Sequence, residues 1–143
     1  MRVYRAGHND VDGAGEMWLA LTNETAPELK PNLDWWLDQT HRLIDMANYY
    51  LWIAEVDGKM AGFVDGIMMN DPSTGEMVQY GRHMYVKPLY RNTGVMGALH
   101  RQGIRTGKEW GARIFKNTVR SQELPMFLKC GYQPVETVLM RMR

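Results

Sequence analysis

The run V-K-P-L-Y-R-N-T-G-V-M-G-A-L, residues 86–99, limits what this chain can fold into more than any other stretch. It takes an apolar strand end through a proline turn straight into a glycine-bearing helix start. The first turn of a helix presents backbone N–H groups with no internal partner, and aligned peptide dipoles add about half a positive charge there. Such an end holds an anion, above all a phosphate, with few charged side chains. Arg91 adds a cation close by, Gly94 lets a ligand reach backbone that a β-carbon would block, and Thr93 is placed to cap the following helix. The segment is not a nucleoside triphosphate loop, because no G-x-x-x-x-G-K-[ST] occurs in the sequence, and its glycines do not fit the dinucleotide pattern G-x-G-x-x-G.

What surrounds this run fits one domain. A length of 143 residues can support a single substantial core, and residues 1–143 are expected to form one unit. Lys plus Arg number 17 and Asp plus Glu 16, a formal net charge of +1, which lacks the basic footprint of a nucleic-acid binder. The one cysteine, Cys130, cannot form an internal disulfide, and His8, His41, His83 and His100 show no paired metal spacing, so no metal is expected. No apolar run approaches the roughly 20 residues needed to span a bilayer, and the N-terminus lacks an apolar signal core. The expectation is a cytoplasmic protein with no membrane or nucleic-acid partner.

Hydrophobic periodicity lays out the elements in order. Arg2–Arg5 is a short strand, and Asn9 or Asp10 is placed to cap a helix whose positions Val11, Ala14, Met17, Trp18 and Leu21 follow the helical period. Residues 22–31, with Pro27 and Pro31, read as a loop. Asn32 then caps a second helix that turns Leu33, Trp36, Leu37, Leu43 and Ile44 inward and Asp34, Asp38 and Asp45 outward. Trp35 and Trp36 are adjacent and cannot share one core. Tyr49–Val56 and residues 60–69 flank Asp57-Gly58, a hairpin signal, with Gly62 and Gly66 as bulge candidates. Turn chemistry fills 70–76, and Met77–Val86 completes a meander that feeds the 86–99 run. A helix over 94–110 ends at Gly111, with Gly97, Gly103 and Gly107 suited to close packing on the sheet. The strand over 113–119 runs parallel to Met77–Val86, because a strand-helix-strand crossover joins them. A short helix over 121–130 and a last strand or hairpin over 132–142 complete the chain.

The 86–99 run resembles the pyrophosphate-binding segment of the GNAT superfamily of N-acetyltransferases, V-x-P-x-[YF]-[RQ]-x-x-G-x-[GA]-x-x-L. Val86, Pro88, Tyr90, Arg91, Gly94 and Leu99 fall on the pattern; Met96 stands where that family has Gly or Ala, with Gly97 one place later. A second segment, L-P-M-F-L-K-C-G-Y over 124–132, resembles the family's l-Y-e-k-x-G-F. The element order β-α-α-β-β-β-α-β-α-β is also that of the family. The resemblance implies an α/β (α+β) fold with a central mixed, mostly antiparallel sheet, a splayed pair of parallel strands and about four helices. It further implies acetyl transfer from acetyl-CoA, a co-substrate and not a metal cofactor, to a primary amine by direct attack in a ternary complex. A homodimer is compatible with it.

By the same resemblance, acetyl-CoA is expected on Met84, Tyr85, Val86, Arg91, Asn92, Thr93, Gly94, Val95, Met96, Gly97 and Phe127, with a backbone N–H within 84–86 facing the thioester oxygen as negative charge develops. The attacking amine must be neutral, and an amine with the intrinsic pKa of lysine is unprotonated in only about one molecule in 2,500 at pH 7, so a base matters. Tyr80, His83 and Glu76 are the candidates. Strand alternation sets His83 on the face away from the acyl centre unless a bulge shifts the register. The tyrosine that serves as acid in many members maps onto Phe127, which has no hydroxyl to donate. That substitution keeps open a second reading, a non-catalytic GNAT-fold protein that binds CoA or serves as an interaction or structural module. For the acceptor, Asp34, Trp35 and Asp38 on the second helix form the expected pocket, which favours a cationic amine; the plainer reading is that these aspartates face only water.

Overall fold

Along the strand Tyr49–Val56, Tyr49, Leu51 and Ile53 alternate with Tyr50, Trp52 and Ala54, and this period of two divides the interior into two cores, one on each face of a sheet. A computed structural model describes residues 1–141. Its elements are β1 (Arg2–Arg5), α1 (Val11–Thr25), α2 (Leu33–Leu43), β2 (Tyr49–Val56), β3 (Lys59–Asn70), β4 (Met77–Val86), α3 (Val95–Glu109), β5 (Ile114–Asn117) and α4 (Leu124–Lys129). Five strands lie in the order β1-β2-β3-β4-β5, antiparallel except for the parallel pair β4–β5. The fold is the expected α/β one: a mixed, mostly antiparallel sheet with four α-helices.

One core joins Val11, Ala14, Met17 and Leu21 of α1 and Trp36 of α2 to Leu51, Ile53, Phe63 and Tyr85 of the sheet. The other packs Val95 and Leu99 of α3 and Phe127 of α4 on Ala61, Val64, Met84 and Val86. The adjacent tryptophans divide as they must: Trp36 is buried and stacks on Trp18 with ring centroids 5.4 Å apart, while Trp35 faces out, 58 % exposed. Asn32 caps α2 as expected, its side-chain oxygen accepting the Trp35 N–H at 3.0 Å. Asp10 does not cap α1; its carboxylate instead accepts from the Gly7 N–H and the Tyr4 hydroxyl.

Other boundaries also differ from expectation. Helix α1 runs on to Thr25, where a loop was expected from residue 22, because Pro27 breaks the chain only later; the Thr22 and Thr25 hydroxyls donate to the Trp18 and Leu21 carbonyls one turn back. Strand β5 and helix α4 are both shorter than the pattern suggests. The last strand does not form over 132–141, where Val135, Val138, Leu139 and Met140 are exposed and no ladder partner is present; Met142 lies outside the described residues. A lone β-prone segment does not hold strand geometry without a neighbour to bond. Among the described residues no helix is long and apolar enough to cross a membrane.

Candidate functional site

Strands β4 and β5 are paired only from Val78 opposite Ile114 to Gly81 opposite Asn117, and beyond that point they part. At the parting a β-carbon on Gly81 would run into the Asn117 side-chain amide, which fills the fork and would have to shift. Past Gly81, the β5-facing backbone groups of β4 have no sheet partner. A cleft of about 290 Å³ opens at this point. Trp18, Leu21, Thr22 and Thr25 of α1 form one wall, Arg82, His83 and Met84 of β4 the floor, and Asn117, Arg120, Glu123 and Phe127 the far side. A narrower cavity on the α3 side of the sheet shares Met84, Asn117 and Phe127 with this cleft.

The floor owes its shape to a bulge. Asp65 of β3 pairs with His83 while Gly66 pairs with Gly81, so Arg82 is an extra residue with no partner across the ladder. From Val86 back to His83 the pairing is unbroken, so His83 shares the α1-side face with Tyr85 by plain alternation and lines the cleft there beside Phe63; the bulge lies beyond it, at Arg82. The His83 Nδ1–H donates to Asp65 Oδ1 at 2.8 Å, which leaves Nε2 as the free ring nitrogen. Asp65 is wholly buried and also accepts the Tyr49 hydroxyl at 2.8 Å, with the Arg82 guanidinium 3.4 Å away. Burial alone would raise the Asp65 pKa, but the charge and hydrogen bond of His83, together with Arg82 and Tyr49, outweigh it and hold the carboxyl below its ordinary range. Burial beside that carboxylate pushes the Tyr49 hydroxyl far upward, so it stays protonated and donating.

Helix α3 begins at Val95 with Gly94 as its cap residue and no side-chain cap. The Thr93 hydroxyl turns away to donate to the Tyr90 carbonyl, so the expected cap is not made. The N–H groups of Val95, Met96 and Gly97 are therefore left to an external acceptor. Gly94 has φ +89° and nothing within 4 Å of the place a β-carbon would occupy, which leaves open space beside this backbone; Asn92 is also left-handed, at φ 64°. Arg91 is committed elsewhere: its Nε–H donates to the Val86 carbonyl at 2.9 Å and an Nη2–H to Glu24 Oε2 at 2.8 Å. The bond to Glu24 raises its pKa further. Arg101, which makes no ion pair among the described residues, lies over Gly97, with Nη1 3.1 Å from that residue's β-carbon position. Met96 packs at the margin of the α3-side core rather than on the open backbone.

A sequence profile of the acetyltransferase (GNAT) family matches residues 15–132. The chain belongs to the GNAT acetyltransferase family. Solved structures similar to this GNAT domain include a predicted acetyltransferase with acetyl-CoA from Clostridium acetobutylicum, 16 % identical at a TM-score of 0.84, with 99 % of this chain and 95 % of that one covered. An aminoglycoside 6'-N-acetyltransferase from Acinetobacter haemolyticus is 18 % identical at 0.81, covering 100 % and 98 %. An aminoglycoside N-acetyltransferase in complex with CoA is 20 % identical at 0.79, covering 99 % and 93 %. At these identities the likeness is one of fold. No curated protein sequence matches the chain.

Of the residues singled out from sequence, the GNAT domain brings His83, Met84 and Phe127 to the cleft, with Tyr85 and Val86 next in β4 and Arg91 to Gly97 at the turn and start of α3. It does not bring Tyr80 or Glu76. Tyr80 pairs with Ile67 and Lys116 where β4 is still held on both sides, and Glu76, ahead of the strand, lies 3.7 Å from Arg113. Asp34, Trp35 and Asp38 also lie away from it, on the outer face of α2, where Asp38 pairs with Arg42 at 3.2 Å. The cleft's acidic groups are others. Glu123 is half-buried, accepts the Arg120 N–H at 3.1 Å, and has its pKa raised by burial against the opposing pull of that bond and of His83. Glu24 and Glu28 stand near its mouth, paired with Arg91 and with Arg120 at 2.9 Å. Asp65 is the principal residue that pattern reading misses; its signal is a lone carboxylate inside the apolar strand M-A-G-F-V-D-G-I. Among the described residues, no group of three or more His, Cys, Asp or Glu is placed to hold a metal.

Proposed function

We propose that this GNAT domain transfers the acetyl group of acetyl-CoA to a primary amine on a cationic acceptor, by direct attack in a ternary complex. The observation that carries the reading is His83, which lines the cleft on the α1 face of β4 and is fixed through Nδ1 by a buried carboxylate. The free Nε2 takes a proton from the incoming ammonium or from the amine nitrogen as it bonds to the carbonyl carbon, and Asp65 compensates the imidazolium that results. Unpaired backbone N–H groups within 84–86 suit the developing oxyanion. The uncapped N–H groups of 95–97, the open side of Gly94 and the guanidinium of Arg101 suit the donor's pyrophosphate.

For the acceptor, Glu123 inside the cleft and Glu24 and Glu28 at its mouth take the role expected of the α2 aspartates. Aminoglycosides, named in two of the similar structures, are polycationic amines, and carboxylates so placed suit that class. The test is free-thiol release from acetyl-CoA with a panel of aminoglycosides, polyamines, lysine peptides and amino acids, repeated with Glu123→Gln. Turnover with cationic amines, and a KM for them raised about tenfold by Glu123→Gln, are expected from loss of a charge-assisted hydrogen bond. Preference for amino acids, or indifference to the substitution, would remove the cationic acceptor. CoA binding without thiol release in any arm would instead support the non-catalytic reading that Phe127 keeps open.

A further inference from the structure

When the bond between the carbonyl carbon and sulfur breaks, its electron pair stays on sulfur, and a donor hydrogen at that point eases the departure. Phe127 lines both cavities at the fork of β4 and β5 and offers no hydrogen. A hydroxyl stands directly beside it. The ring of Tyr132 meets Phe127 edge-on, with centroids 5.4 Å apart at 79°, and its oxygen is 3.3 Å from His100 Nε2 of α3. The Asn117 amide that fills the fork lines the same narrow cavity as Tyr132. Tyr132 thus borders the narrow cavity together with Gly81, Met84, Asn117 and Phe127, the residues around which the sheet opens toward the His83 cleft.

We propose that Tyr132 is the proton donor to the departing thiolate, held for this by His100; the proposal rests on the acetyl transfer set out above. The amine nitrogen bonds to the carbonyl carbon and the carbon–sulfur bond breaks. Sulfur takes the Tyr132 hydroxyl proton, while the proton lost by the amine goes to His83. The phenolate is stabilised by the His100 Nε2–H and regains its proton from solvent. Burial raises the Tyr132 pKa, which keeps the proton on the phenol until sulfur takes it, and with Arg101 nearby lowers that of His100. A neutral imidazole with hydrogen on Nε2 donates to the phenol oxygen and leaves the phenol hydrogen free to turn toward the fork.

The experiment compares the wild type with Tyr132→Phe, Phe127→Tyr and the double variant, by calorimetry with CoA, by ultraviolet titration of the bound CoA thiol without turnover, and by steady-state kinetics. Tyr132→Phe should keep CoA affinity within about twofold, raise the pKa of the bound thiol by about one unit through loss of a hydrogen bond to the thiolate, and lower kcat roughly 30- to 100-fold with little change in KM. The double variant should recover most of that loss, because a hydroxyl returns one ring away. An unchanged thiol pKa and unchanged kcat in a Tyr132→Phe protein that binds CoA would overturn the role of Tyr132 and leave the acetyl-transfer reading standing. Absence of CoA binding by the wild type would overturn both.

Discussion

Asp65 keeps its negative charge with no access to water, and only Tyr49, His83 and Arg82 make that tolerable. Because its folded pKa lies below the ordinary carboxylate value, it contributes stability at pH above roughly 4, and that contribution is lost as the pH falls through the folded value. Asp65→Asn should therefore destabilise the protein at neutral pH by about 3 kcal/mol, seen in chemical denaturation, with the difference from wild type shrinking in acid. If the pair acts as one unit, kcat/KM should fall roughly 100-fold in Asp65→Asn or His83→Gln and hardly further in the double variant; additive losses would show that Asp65 serves packing alone. The sequence makes only half of this pair legible. Alternation along β4 places His83 on the face of Tyr85, where it stands; that the cleft opens on this face is decided by how α1 packs, which the pattern of β4 does not state. Asp65 stands 18 residues away from His83, and no periodicity links them.

At the scale of elements, the 86–99 run was legible because each of its constraints is local: an apolar strand end, a proline turn, and a glycine where the backbone turns left-handed. Gly94→Ala tests this directly. A β-carbon at Gly94 would meet no atom, so its cost is conformational, about 1 to 2 kcal/mol for holding φ +89°. CoA affinity should fall only a few-fold in Gly94→Ala but more than tenfold in Gly94→Asp, which sets a negative charge in the open space proposed to take the pyrophosphate. Equal affinities for wild type and Gly94→Asp, measured by calorimetry, would place the anion elsewhere. The helices and the hairpin are readable for the same local reason. The segment 132–141 is not, since its β-prone residues state a preference that only a neighbouring strand can satisfy, and β4 and β5 have parted before it arrives.

At the scale of the molecule, the fold class follows from the order of elements, and near-neutral charge turns the reading away from polyanionic partners. The acceptor side is not legible from sequence, because Glu24, Glu28 and Glu123 come together only where the end of α1 and the loop after it meet the segment between β5 and α4, through Arg120 to Glu28 and Gln122 to the Thr25 carbonyl. Two of these glutamates face arginines across the cleft's mouth, and one of those arginines, Arg91, lies in the turn proposed to bind the donor. A donor phosphate that draws Arg91 away leaves Glu24 without its cation, so occupation of one site sharpens the other's appetite for positive charge. The two substrates then help each other to bind, and by thermodynamic reciprocity to the same degree. An exposed pair of this kind is worth at most about 1 kcal/mol, so the mutual gain is up to about fivefold. In Glu24→Gln, calorimetry should find CoA bound up to about fivefold more tightly, and a cationic acceptor bound equally well with and without CoA. Weaker CoA binding in that variant would mean that Glu24 steadies the turn instead of competing for its arginine.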